Sequence, residues 1–86
     1  MRFQFTRRFE RRYAGLSGED AERVRGAMRL LEENPRHPGL RMKKIKGTEG
    51  IWEIRAGLSI RLTFEMKDDL VVLRNVGSHD AALKKP

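Results

Sequence analysis

Between Leu40 and Val76 the chain alternates apolar with charged residues, and a period of two is the pattern of strands with one buried face. The stretch reads LRMKKIKGTEGIWEIRAGLSIRLTFEMKDDLVVLRNV. Trp52 and Ile54 are the large apolar pair of Ile51 to Arg55, and Ile60, Leu62, Phe64 and Met66 are the apolar set of the next segment. Placing both sets on one face fixes the register, because a one-residue slip would turn a whole strand inside out. Ile54 then lies opposite Leu62 and Trp52 opposite Phe64, across the loop Gly57-Leu58-Ser59, of a length common in glycine-containing hairpins. Arg55 falls directly opposite Arg61. The same reasoning at a hairpin around Lys67-Asp68 matches Phe64 with Val71 and Leu62 with Leu73, which sets Arg74 beside Arg61. Like charges directly opposite one another repel, so a row of three arginines suggests an anionic partner. The other reading is a solvated face relieved by Glu53 and Glu65.

A chain of 86 residues has room for one sheet and a pair of helices around one core, so a single domain over residues 1–86 is expected. With no cysteine, a disulfide framework and a thiolate metal site are excluded, and the composition suits a reducing compartment. No apolar run reaches membrane-spanning length, and MRFQFTRRFERR lacks the apolar centre of a signal peptide, which makes a cytoplasmic protein with no membrane partner the expectation. The net charge of +7 favours a polyanion, either nucleic acid or an acidic protein, although such a surplus also serves solubility.

Ahead of the alternating stretch, Arg2 to Thr6 reads as a short strand with Phe3 and Phe5 on one face. Phe5, Phe9, Tyr13 and Leu16 then recur at helical spacing, so a short helix is expected from Thr6, its N-cap. Its other face carries Arg7, Arg8, Arg11 and Arg12, which suit phosphates, an acidic helix or plain solvent. Ser17 caps a second helix with acidic residues in its first turn. Ala21, Val24, Met28 and Leu31 form its buried stripe, widened by Ala27 and Leu30, and the helix stops at Asn34-Pro35. The helical hairpin covers the apolar face of the sheet. After the turn-rich connector Pro35 to Gly39, where His37 is expected to have no function, the strand Leu40 to Lys46 is strongly basic through Arg41, Lys43, Lys44 and Lys46. Basic strands bind phosphate backbones, and lysines also guard sheet edges against aggregation. Near the end, Ser78 or Asp80 can cap a short terminal helical turn.

Phosphate-binding glycine loops and the HExxH and GxSxG motifs are absent, and with two histidines far apart and no cysteine no dedicated metal site is expected. What the sheet does offer is a cationic face with one carboxylate, Glu53, and a histidine, His79, just past the strand bearing Arg74. That set suits metal-free RNA cleavage, in which the 2′-hydroxyl attacks the adjacent phosphate. The reaction needs a proton removed from that hydroxyl, charge stabilised on the phosphorane and a proton delivered to the leaving oxygen. Arginine forks suit the phosphorane. His79 can serve as acid or base near neutral pH, with Glu53 as its counterpart or as the orienter of an arginine. A capping or surface role for His79 is the plainer alternative.

The order of strand, two helices, then LxxKKIKG, GIWEIR, IRLTF, DDLVVLRNVG and SHDAAL resembles the RelE/ParE superfamily of bacterial type II toxins over nearly the whole chain. The resemblance implies an α+β fold, an N-terminal strand and helical hairpin packed on one face of a small, twisted, mainly antiparallel sheet. In the nuclease branch it implies ribosome-dependent endoribonuclease cleavage of mRNA without metal or cofactor. It also implies neutralisation by a cognate acidic antitoxin, and binding of the toxin–antitoxin pair to operator DNA through the antitoxin. By position, Arg55 and Arg61 match the cations that act on the scissile phosphate, and His79 in SHDAAL matches the catalytic histidine of YafQ-like members. Glu53 is then a candidate base, Lys43, Lys44, Lys46 and Arg74 hold RNA phosphates, and Leu83 stands where those toxins carry a stacking aromatic. No tyrosine follows His79. The ParE branch, which inhibits DNA gyrase by binding, and a catalytically decayed RNA-binding homologue are the alternatives that the same fold allows.

Overall fold

The computed structural model describes all 86 residues, Met1–Pro86. Strand β1 (Arg2–Phe5) leads into helices α1 (Arg7–Ala14) and α2 (Gly18–Glu33). A 3-10 turn (Pro38–Leu40) and strands β2 (Lys43–Lys44), β3 (Ile51–Ala56), β4 (Ile60–Lys67) and β5 (Leu70–Ser78) follow, and helix α3 (His79–Lys84) ends the fold. The strands form one sheet in the order β1-β5-β4-β3-β2. Only the β1–β5 pair is parallel, so the sheet is mainly antiparallel as expected. No helix is long and apolar enough to cross a membrane.

The caps act where the sequence places them. The Thr6 hydroxyl accepts a hydrogen bond from the Phe9 amide, and Ser17 accepts from the Asp20 amide, each satisfying one of the free donors at a helix start. Helix α2 stops at Asn34, ahead of Pro35. Phe9, Val24, Ala27 and Leu31 from the helices pack against Ile54, Leu62, Phe64, Leu73 and Val76 on one face of the sheet. On the opposite face lie Glu53, Thr63 and Asn75, and α3 covers part of it: Asn75 donates to the carbonyls of Ala81 and Lys85, and the Thr63 hydroxyl to that of Pro86.

The β3–β4 register is the expected one, with Ile54 opposite Leu62, Trp52 opposite Phe64 and Arg55 opposite Arg61. Gly57 opens the connecting loop at φ 80°, a conformation that costs glycine little. The β4–β5 register differs from expectation. Phe64 faces Leu73, and Leu62 faces Val76, because the hairpin turns tightly at Asp68-Asp69 and the ladder then shifts at Thr63/Phe64. Thr63 pairs with Asn75 and Phe64 with Leu73, so Arg74 is the extra residue of a β-bulge. The row of three arginines is therefore broken. Arg61 faces Gly77, while Arg74 ion-pairs with Glu65 at 3.0 Å and donates through Nε to the Pro86 carbonyl.

The strand expected over Leu40 to Lys46 is also shorter. Leu40 ends the 3-10 turn and is buried, Arg41 adopts a left-handed conformation (φ 47°), and only Lys43 and Lys44 pair with β3. His37 has a local structural role, since its Nδ1 accepts from the Gly39 amide at 2.9 Å and caps that turn.

Candidate functional site

On the sheet face away from the helical hairpin, Arg41, Lys43, Glu53, Arg55, Arg61 and His79 line one cleft of about 520 Å³, with Met42 at its side. Each arrives by a different local rule. Glu53 and Arg55 point to this face because they alternate with Trp52 and Ile54, and Arg61 joins them because it pairs with Arg55. Lys43 lies opposite Glu53 on the neighbouring strand. His79 is the first residue of α3, set there by the Ser78 cap, whose hydroxyl accepts from the Ala81 amide.

Lys44 and Lys46 do not join them. Lys44 pairs with Trp52 and so belongs to the other face, and Lys46 lies beyond the end of β2, in the turn before β3. Arg74 is also outside the cleft, turned to Glu65 and Pro86 by the bulge. Arg41 is the residue that the site expectation missed. Its charge was visible in the basic segment, but the left-handed backbone that aims it at the cleft has no signature in a non-glycine residue.

The electrostatics of the cleft are dominated by crowded cations. Glu53 is only 5% exposed and Arg61 only 8%, and Arg61 Nε stands 3.9 Å from Glu53 Oε1, close enough for attraction but too far for a hydrogen bond. The Arg61 guanidinium is steadied instead by donating Nη1 to the carbonyls of Ile60 and Leu58. Partial withdrawal from water, then repulsion from Arg61 and Arg41, push Arg55 below its ordinary pKa, and Glu53 opposes that shift. An anion entering between these guanidiniums relieves both the repulsion and the unmet hydrogen-bonding capacity. His79 is exposed, its Nδ1 lying 3.3 Å from Asp80 Oδ1. The fold brings together no three His, Cys, Asp or Glu side chains able to hold a metal ion.

The sheet order, the helical hairpin on one face and the short terminal helix on the other make an α+β fold that solved structures of YafQ, RelE and YoeB/ParE toxins share. The chain matches the structure of YafQ from E. coli with a TM-score of 0.79 over 94% of this chain and 97% of that one, at 16% identity. It matches the RelB-RelE antitoxin-toxin complex from Methanococcus jannaschii with a TM-score of 0.75, at 21% identity over 96% and 99% of the two chains. The YoeB/ParE toxin from Agrobacterium tumefaciens gives a TM-score of 0.77, at 15% identity over 92% and 99%. No family model and no curated protein matches the sequence. The fold expected from the resemblance is thus the fold observed, at identities where sequence alone has drifted far.

Proposed function

We propose that this chain is the toxin of a bacterial type II toxin–antitoxin pair and acts in the cytoplasm as a ribosome-dependent, metal-independent endoribonuclease on mRNA. What supports the reading is the convergence of Arg41, Lys43, Arg55 and Arg61 with a carboxylate and a histidine in one cleft. Arg55 and Arg61 bind the scissile phosphate, with Arg41 and Lys43 on the neighbouring backbone. The Glu53 carboxylate takes the proton of the 2′-hydroxyl, whose oxygen attacks phosphorus. The arginines hold the phosphorane charge, and protonated His79 gives its proton to the 5′-oxygen as the P–O bond breaks. The products are a 2′,3′-cyclic phosphate and a 5′-hydroxyl. Solvent exposure of His79 allows it to be reprotonated between turnovers.

A cognate acidic antitoxin is the expected protein partner, and through it the pair would reach operator DNA. Two of the similar structures, of DinJ-YafQ and of RelB-RelE, are toxin–antitoxin complexes. Since one fold hosts several functions, the experiment must separate nuclease from gyrase inhibitor. Purified protein is incubated with programmed ribosomes and the message ends are mapped by primer extension, with His79→Ala and Arg61→Ala alongside. Codon-phased cuts are expected from the wild type and from neither variant. An intact message together with inhibited gyrase supercoiling would overturn the nuclease in favour of the ParE-type activity.

A further inference from the structure

The cations of this chain differ in how far they are neutralised. Arg2, Arg23, Arg25, Arg29, Arg61 and Arg74 each meet a carboxylate. Arg8, Arg11, Arg12, Lys84 and Lys85 meet none, and they surround a second cleft of about 470 Å³ between α1 and the C-terminal end of α3. Two of these guanidiniums are fixed without being neutralised. Arg12 donates Nε to Asn75 Oδ1 at 3.4 Å and Nη2 to the Ala81 carbonyl at 3.5 Å, and Arg8 donates Nη1 to the Lys85 carbonyl at 3.0 Å. Asn75, 1% exposed, supports the floor by donating to the same Lys85 carbonyl. A guanidinium has five N–H donors, so most of theirs stay available, and the side chains of Arg11, Lys84 and Lys85 make no hydrogen bond or ion pair within the chain.

The chemistry of the lining selects the ligand. Apart from Ala81 the cleft has no apolar side chain, whereas the core of a protein interface is apolar and nucleic-acid interfaces are polar and cationic. The apolar groove of Phe5, Phe9, Tyr13 and Met28 is a separate one. No aspartate or glutamate lines the cleft, and Glu10 of α1 lines the apolar groove instead. Helix α3 joins the two clefts, with His79 lining the first and Lys84 the second. Five helical steps separate those residues by about 7.5 Å along the helix, so one nucleic-acid strand can run from one cleft to the other.

We infer that this second cleft is a phosphate site that holds the RNA backbone further along the strand from the phosphate bound by Arg55 and Arg61. It rests on the RNA reading above and adds to it a built-in minimum length of substrate. The test is fluorescence anisotropy with an uncleavable 2′-O-methyl RNA, as a decanucleotide and as a dinucleotide, over a salt series. The triple variant R11A/K84A/K85A removes only side chains without intramolecular hydrogen bonds or ion pairs, and a thermal melt verifies its fold. On the decanucleotide its affinity is expected to fall, and the slope of log Kd on log salt to fall by about 2, from about 0.7 per phosphate contact in a single strand. The dinucleotide should bind wild type and triple variant alike, while Arg55→Ala weakens both ligands. A triple variant with wild-type affinity and slope on the decanucleotide, or one weakened equally on both ligands, overturns the second site. Displacement of the decanucleotide by polyglutamate at equal charge would overturn it in favour of an acidic protein. If the wild type itself shows no salt-dependent RNA affinity and Arg55→Ala changes nothing, the RNA reading fails as a whole.

Discussion

Arg55 and Arg61 stand opposite each other with like charge, and the carboxylate that offsets them is Glu53, from the same strand as Arg55. Glu53 and Arg55 therefore have opposite effects on stability. Glu53→Gln leaves Arg61 buried without a counter-charge and strengthens its repulsion from Arg55. Breaking a buried ion pair costs 3–5 kcal/mol where the pair is hydrogen-bonded, and without that bond about 2 kcal/mol is expected here, read by urea denaturation. Arg55→Ala removes one side of the repulsion, so stability should stay level or rise while cleavage on ribosomes collapses. A destabilised Arg55→Ala protein would show that the cation is a structural element rather than one held for an anion. This pairing was legible in the sequence, because apolar alternation and a short glycine loop leave only one register for β3 and β4. The relief of the arginines by Glu53 and Glu65 was one of the two readings of the charge pattern, whereas the contribution of Arg41 was not legible, since it depends on a left-handed backbone that charge patterns do not encode.

Helix α3 is six residues long, below the length at which an isolated helix holds together, so tertiary contacts must maintain it. Buried Ala82 supplies one contact, and the Asn75 side chain supplies a polar one through the carbonyls of Ala81 and Lys85. Asn75→Ala should accordingly speed amide exchange across His79–Lys84 with little change in β3 and β4, and lower kcat on ribosomes more than it alters KM. Uniform exchange protection in that variant would show that the polar contacts do not position the helix. The Arg74 bulge belongs to the same device, since it turns Arg74 toward Pro86. A bulge adds one residue that no alternation pattern announces, which is why the row of arginines drawn across β4 and β5 did not form. Capping was more readable, and the two caps differ in a measurable way. Thr6 both accepts from the Phe9 amide and donates to the Arg74 carbonyl at 2.9 Å, tying α1 to β5, whereas Ser17 only accepts. Thr6→Ala should cost more than the ~1 kcal/mol typical of a lost cap, and Ser17→Ala about that value, both measured by chemical denaturation.

At the scale of the molecule, stability and candidate chemistry occupy opposite faces of one sheet. The thirteen-residue apolar core lies between the sheet and α1–α2, the cleft of Arg55 and Arg61 lies on the opposite face, and the second cationic cleft lies where α1 meets the end of α3. That division follows from period two: each strand delivers alternate residues to the two faces, so the core constrains one face and leaves the other to charge. It was visible in the sequence as alternation, but which cations meet in a cleft was decided by the bulge at Arg74 and the short β2. The division predicts that removing residues 79–86 separates folding from function. Thr63 and Asn75 would then be solvated rather than left buried without partners, and of the buried apolar residues only Ala82 is lost. The truncated chain should still unfold in a single cooperative transition, less stable by about 2 kcal/mol, a Tm decrease on the order of 10 °C for a domain of this size. Its ribosome-dependent cleavage should vanish with His79, and its RNA affinity should weaken with Lys84 and Lys85. A broad, non-cooperative transition would place α3 within the folding core, and the two faces would then not be energetically separate.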